Sequence, residues 1–176
     1  MLSVPVRIAY TIYAAALFLA LGLCALLLAL LLPVVEWRRA VARAIARAFL
    51  WSVGMPLSIK SAERLPSGQC VVVANHASYL DGLVFTAALP ARFGFVIKRE
   101  MAAVPLAGLL LRRLGSQFVE RFNRHRSAAD ARRMLRNAST GQSLVFFPEG
   151  TFTRTPGLLK FHTGAFAFAG PGCGPP

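Results

Sequence analysis

Residues 71–82 read VVVANHASYLDG, and they set a strand directly against a turn that carries chemistry. Val71, Val72 and Val73 suit a short buried strand, because β-branched side chains pack well on a pleated surface. Asn75, Ser78 and Gly82 then break the strand pattern. Within that turn His76 is followed five positions later by Asp81. An imidazole and a carboxylate so placed lie where a sheet opens toward its ligands.

The chain beyond this stretch alternates. CVVVAN is a predicted strand and LDGLVFTAAL a helix capped near Asp81. RFGFVIK is a second strand, and VPLAGLLLRRLG a helix that ends at Gly115. SQFVER, the helix SAADARRMLRNAST opened by Ser127, and SLVFFPEG complete the series. Strands separated by helices predict an α/β domain with a largely parallel sheet and helices on its faces. Ligands of such sheets bind at the carboxyl ends of the strands. His76, Arg121 and the PEGT of residues 148–151 would all be carried to that rim.

Upstream the character changes. From Ile8 to Val35 the chain has no charged residue, and residues 14–33 read AAALFLALGLCALLLALLLP. About 20 apolar residues suffice to cross the hydrocarbon core of a bilayer as a helix. The run is too long for a signal-peptide core, and no small-residue cleavage site follows it. It is expected to be a retained membrane anchor, spanning or re-entrant. EWRRAVARAIARAFLW comes next, with Arg39, Arg43 and Arg47 four residues apart on one helical face. Val41, Ile45, Phe49 and Leu50 fall mainly on the other side, the pattern of a basic amphipathic helix lying on an anionic membrane surface. The cluster from Arg38 to Arg47, against Arg7 alone before the apolar run, puts the rest of the chain on the cytoplasmic side of the cytoplasmic membrane.

The chain has 176 residues, enough for one domain with a core, and its mean hydropathy is +0.55. Three segments are expected: 1–50 as anchor and basic helix, 51–169 as the α/β domain, and 170–176 as an irregular tail. The net charge of +13, from 20 Lys+Arg and 7 Asp+Glu, is compatible with nucleic acid. An apolar anchor and scattered arginines fit phospholipid headgroups and a phosphorylated substrate better, and no nucleic-acid partner is expected. Cys24, Cys70 and Cys173 are far apart and form neither a disulfide framework nor a metal site.

The histidine–aspartate pair has a specific chemical use. Histidine accepts a proton near neutral pH, and an aspartate on its other ring nitrogen fixes the tautomer and stabilises the imidazolium. Capping of a helix start is the other use of Asp81 that the spacing allows. Ser78 lacks the surroundings of a serine-hydrolase elbow. A pair without its own nucleophile implies that a substrate hydroxyl attacks.

NHASYLD (residues 75–81) resembles the Asn-His-x-x-x-x-Asp block of the glycerolipid acyltransferases, the family that includes 1-acylglycerol-3-phosphate acyltransferases. GSQFVERF (115–122) is similar to the family's second block and FFPEGTFTR (146–154) to its third. The resemblance covers roughly residues 45 to 169. It implies transfer of a fatty acyl group from acyl-CoA or acyl carrier protein to a lysophospholipid hydroxyl, in phospholipid biosynthesis, with no metal and no other cofactor. Carried over, His76 is the general base and Asp81 its orienting partner. Arg121 binds the acceptor's phosphate, and Glu149, Gly150 and Thr151 shape the acceptor site. Lys98 is either a further phosphate or donor contact or a solvated strand end.

Two departures from the family pattern stand out. Phe152 follows Gly-Thr where the third block has arginine, and Arg154 comes two positions later. Arg154 reaches the same phosphate if the segment turns tightly. After LKFHTGAFAFA the chain ends in GPGCGPP, whose prolines and glycines cannot form the central strand expected there. The chain is therefore expected to be truncated, and a non-catalytic remnant that binds anionic membrane or lysophospholipid is the alternative to an active enzyme.

Overall fold

A computed structural model describes residues 3–120, 142–149 and 161 of the chain. Its elements are α1 (Val4–Leu31), α2 (Val35–Ser52), β1 (Val71–Val73), α3 (Leu80–Ala88), β2 (Phe93–Lys98), α4 (Ala107–Arg113), β3 (Gln117–Val119) and β4 (Ser143–Phe146), with short 3-10 turns at Ala62–Arg64 and Arg99–Ala103. The strands form one sheet in the order β1-β4-β2-β3, and all three pairings are parallel. The α/β fold class and the order of these elements are therefore as expected, with several strands shorter than the sequence pattern. The helix expected over 127–140 and the tail 170–176 lie outside the described residues.

β4 is central and all four of its residues are buried, which matches the unbroken apolar run SLVF of a strand covered on both faces. Its side chains alternate between two clusters. Leu144 and Phe146 pack with Val96, Val71 and Val119. Val145 packs with Cys70, Phe93, Val72 and Phe95, and with Phe85 and Leu89 of α3. The last turn of α4 closes as a Schellman motif: Gly115 N–H donates to Arg112 O and Ser116 N–H to Leu111 O, with Gly115 at φ 69°.

α1 is 28 residues long, about 42 Å at helical rise, against a bilayer core of about 30 Å. Only 17% of its most apolar 18-residue window is buried inside the molecule, whereas a core helix would be mostly covered. α2 doubles back along it. Tyr10 Oη donates to Val53 O at 2.7 Å, Tyr13 Oη to Ser52 O at 3.2 Å, and Phe18 meets Phe49 edge to face. On α2, Ala46, Phe49 and Leu50 pack against Ala14, Leu17 and Leu21 of α1 and Leu83, Val84 and Ala87 of α3, with Ala42 buried one turn earlier on the same side. Alanines at this seam let three helices approach closely.

This packing corrects one expectation. Arg39 does not lie on the outward basic face: it is 8% exposed and turned into the domain. Its Nε donates to Leu114 O at 2.8 Å, Nη1 to Arg92 O at 3.3 Å and Nη2 to Gly115 O at 3.4 Å. Arg38 donates to Leu32 O, Pro33 O and Arg113 O, and Arg113 to Ala29 O and Leu30 O. The reason is the unpaired carbonyls that every helix leaves at its C-terminus. Three guanidiniums satisfy those of α1 and α4, and so rivet the apolar helix to the sheet domain. Burial pulls the Arg39 guanidinium below its ordinary pKa, with the Glu36 carboxylate opposing that shift. Arg47, one of the arginines expected on the outward face, is exposed.

Arg39→Ala should strand several buried carbonyls and cost about 2–4 kcal/mol of stability. Arg47→Ala should cost under about 0.5 kcal/mol. Urea unfolding in mild detergent measures both, and equal losses would refute the inward role of Arg39.

Candidate active site

β1 ends at Val73 and β4 at Phe146, side by side in register, so the loops that follow them leave the sheet together. Ala74 N–H donates to Phe146 O at 3.0 Å, the last main-chain bond of this pair. Beyond it the strands exchange side chains. His76 stands on the loop after β1, and Phe147, Pro148 and Glu149 on the loop after β4.

His76 Nδ1 and Asp81 Oδ2 are 2.9 Å apart, with the two side chains 20% and 22% exposed. The same oxygen accepts the backbone N–H groups of Ala77 at 2.7 Å and Ser78 at 2.9 Å. Asp81 is the second residue of α3, and its carboxylate reaches back over the preceding turn rather than capping the helix, whose N-cap is Tyr79. Partial burial pushes the Asp81 pKa up. The Ser78 N–H, His76 and the Ala77 N–H together outweigh it and hold the carboxyl below the ordinary aspartate value. Ser78 Oγ accepts Leu80 N–H at 3.1 Å, a local turn bond with no part in proton transfer.

With Asp81 accepting at Nδ1, the neutral ring carries its proton there and Nε2 is the basic nitrogen. Phe147 lies 4.6 Å from the imidazole, ring centre to ring centre, at 26°. Phe85 of α3 meets Phe147 in turn, edge to face at 5.5 Å. Glu149 is 5% exposed, and its Oε1 accepts the backbone N–H of His76 at 2.8 Å.

The structure thus gathers His76, Asp81 and Glu149 of the expected site. Lys98 closes β2, exposed, on the carboxyl side of the same sheet. Arg121, Gly150, Thr151 and Arg154 lie outside the described residues. Phe147 was not singled out from sequence, although period-two alternation along SLVFF puts it on the face of Val145, next to α3.

The sequence pattern of the Acyltransferase family matches residues 57–171. The chain is 32% identical over 143 residues to lysophosphatidylcholine acyltransferase 2 of Mus musculus, covering 76% of this chain and 26% of that protein. It is 35% identical over 132 residues to lyso-ornithine lipid O-acyltransferase of Rhodobacter capsulatus, covering 74% and 46%. It is 26% identical over 128 residues to 1-acyl-sn-glycerol-3-phosphate acyltransferase of Borreliella burgdorferi, covering 72% and 51%. The chain therefore spans between about a quarter and a half of the length of these relatives. The crystal structure of the 1-acyl-sn-glycerophosphate acyltransferase PlsC of Thermotoga maritima shares its fold, with a TM-score of 0.67 over 92% of this chain and 66% of that one, at 22% identity. A parallel α/β sheet with a His–Asp pair at its carboxyl edge, matched by the family's own pattern over most of its length, places this chain in the Acyltransferase family.

Proposed function

We propose that the chain is a membrane-bound acyltransferase that moves a fatty acyl group from acyl-CoA or acyl carrier protein to the free hydroxyl of a lysophospholipid such as 1-acylglycerol-3-phosphate. The observation that carries this reading is the His76 Nδ1–Asp81 Oδ2 contact of 2.9 Å at the carboxyl edge of the sheet. His76 Nε2 takes the proton of the acceptor hydroxyl as its oxygen attacks the thioester carbonyl. The C–S bond breaks as the tetrahedral intermediate collapses, and the imidazolium returns the proton to the departing thiolate. Asp81 stabilises the imidazolium in between, and its lowered pKa keeps it ionised for that task. The relatives' names carry three different lyso-lipid acceptors, which supports the class of acceptor rather than one member of it. Arg121 is assigned to the acceptor's phosphate, with Glu149, Gly150, Thr151, Arg154 and Lys98 about the same site.

Attachment to the cytoplasmic membrane, with the sheet domain in the cytoplasm, is assigned to α1. Its bare side presents Val4, Ile8, Ile12, Leu19 and Leu23, while α2 with its arginines covers the other. A helix paired along its length with a basic amphipathic partner favours an anchor that enters one leaflet over one standing alone across the bilayer.

His76→Ala should lower acyl transfer about 10²- to 10⁴-fold without changing membrane association. Asp81→Asn should cost no more than that, and the double variant little more than His76→Ala alone, because the pair acts as one unit. Acyl transfer surviving in His76→Ala would end this mechanism.

The intact chain should stay with membranes through a carbonate wash, and deletion of residues 1–35 should leave binding that salt reverses. Full recovery of the intact chain in the soluble fraction would refute the anchor.

The depressed pKa of Asp81 also fixes a pH dependence. Its stabilisation is complete above the ordinary value of 3.8 and is lost as pH falls through the lower value of the folded state. The difference in melting temperature between the unmutated chain and Asp81→Asn should therefore persist down to about pH 4 and close only in stronger acid. A gap already closed well above about pH 4 would contradict a carboxylate held ionised by these hydrogen bonds.

A further inference from the structure

The turn that carries His76 is closed on itself by the Asp81 carboxylate. All three donors to Asp81 Oδ2 (the His76 ring, Ala77 N–H and Ser78 N–H) come from residues 76–78. Asp81 thus sets the ring relative to its own loop. It does not set the loop relative to β4, where the remaining site residues arise. The β1–β4 ladder has ended one step earlier, at the bond from Ala74 N–H to Phe146 O. Nor does Pro148 offer an N–H with which a ladder could continue. Past that point the Glu149 carboxylate, on the loop that leaves β4, accepts His76 N–H at 2.8 Å across 73 positions of sequence.

Resting on the catalytic reading of His76, we propose that Glu149 is a positioning residue that holds the general base through its backbone, rather than a contact for the acceptor. A phosphate-bearing acceptor argues the same way. Glu149 is 5% exposed, and an ionised carboxylate beside a bound phosphate would repel it. A carboxylate accepting a main-chain N–H is the charge-assisted bond suited to fixing a turn. Phe147, two residues earlier, lies along the imidazole at 4.6 Å. The β4 exit loop therefore confines both the backbone and the ring face of His76, while Asp81 sets its tautomer. The Pro-Glu that follows the strand is a mount for the base.

The test uses the full chain in detergent micelles, with Glu149→Ala and Glu149→Gln compared. Glutamine keeps a carbonyl oxygen that can accept the same N–H. Glu149→Ala should lower kcat about 10- to 150-fold, the loss of one charge-assisted bond, with the acceptor KM within about threefold of the unmutated value. Glu149→Gln should recover most of kcat. A rise in acceptor KM at unchanged kcat would overturn the proposal in favour of acceptor binding.

Hydrogen exchange and the nitrogen-15 shift of the His76 main-chain amide give a readout independent of turnover. The amide should stay protected in the unmutated chain and in Glu149→Gln, and lose protection about tenfold or more in Glu149→Ala, while the Nδ1–H form of the ring, set by Asp81, is kept in all three. An unchanged His76 amide in Glu149→Ala would overturn the proposal whether or not the chain turns over. If instead the catalytic reading fails, His76→Ala keeps its activity while the His76 amide of the unmutated sequence still responds to Glu149.

Discussion

The parallel pairing of β1 with β4 is the constraint on which the site depends. Val71, Val72 and Val73 lie opposite Leu144, Val145 and Phe146, so two loops 73 residues apart leave the sheet as neighbours. β4 is last in the chain among the described strands but stands between β1 and β2. Until it docks, the first two strands have no shared partner, and the His76 loop faces a gap. Assembly of the site is therefore a long-range event, with the entropy cost of closing a large loop. The buried apolar side chains of residues 143–146 offset that cost, and the Glu149 contact forms in the same step.

Part of the basic composition acquires a different meaning from the arginines among the described residues. A charge of +13 reads at first as attraction to anionic partners. Yet Arg38, Arg39 and Arg113 point at helix carbonyls, not at phosphates. They serve the C-terminal ends of α1 and α4, where the backbone leaves acceptors without donors. This joint lies between the apolar helix and the sheet domain, and makes the two one packed body rather than a tethered pair. Among the described residues Arg47, by contrast, remains exposed.

Local pattern was enough for much of this. The run of valines, the helix stop at Gly115 and the His–Asp spacing each express a short-range rule, and each appears in the structure where the rule puts it. The orientation of α2 did not follow from such a rule. Arginines at every fourth position look like a solvated stripe, and the inward stripe of Ala42, Ala46 and Phe49 is nearly as regular. Choosing between them requires the carbonyls of α4, some 75 residues away. The strand order and the partner of Glu149 were hidden for the same reason. Each is a contact between distant segments, and no periodicity records it.

The five-residue spacing from His76 to Asp81 has a geometric rationale in what lies between. The carboxylate of Asp81 gathers one ring nitrogen and two successive main-chain N–H groups on a single oxygen. Ala77 and Ser78 contribute backbone to that cluster, so its geometry asks nothing of their side chains beyond compatibility with the turn. Tyr79 starts the helix and is exposed, as is Leu80. A shorter separation would bring the carboxylate before the turn is complete, and a longer one would carry it around the helix, about 100° per residue, away from the loop. The base and its anion are thus the chemically demanding positions of the segment, and Ala77 and Ser78 serve the carboxylate through their main chain. The Glu149 carboxylate ties that main chain to the loop leaving β4, so a buried glutamate beyond a neighbouring strand belongs to the same device as the histidine.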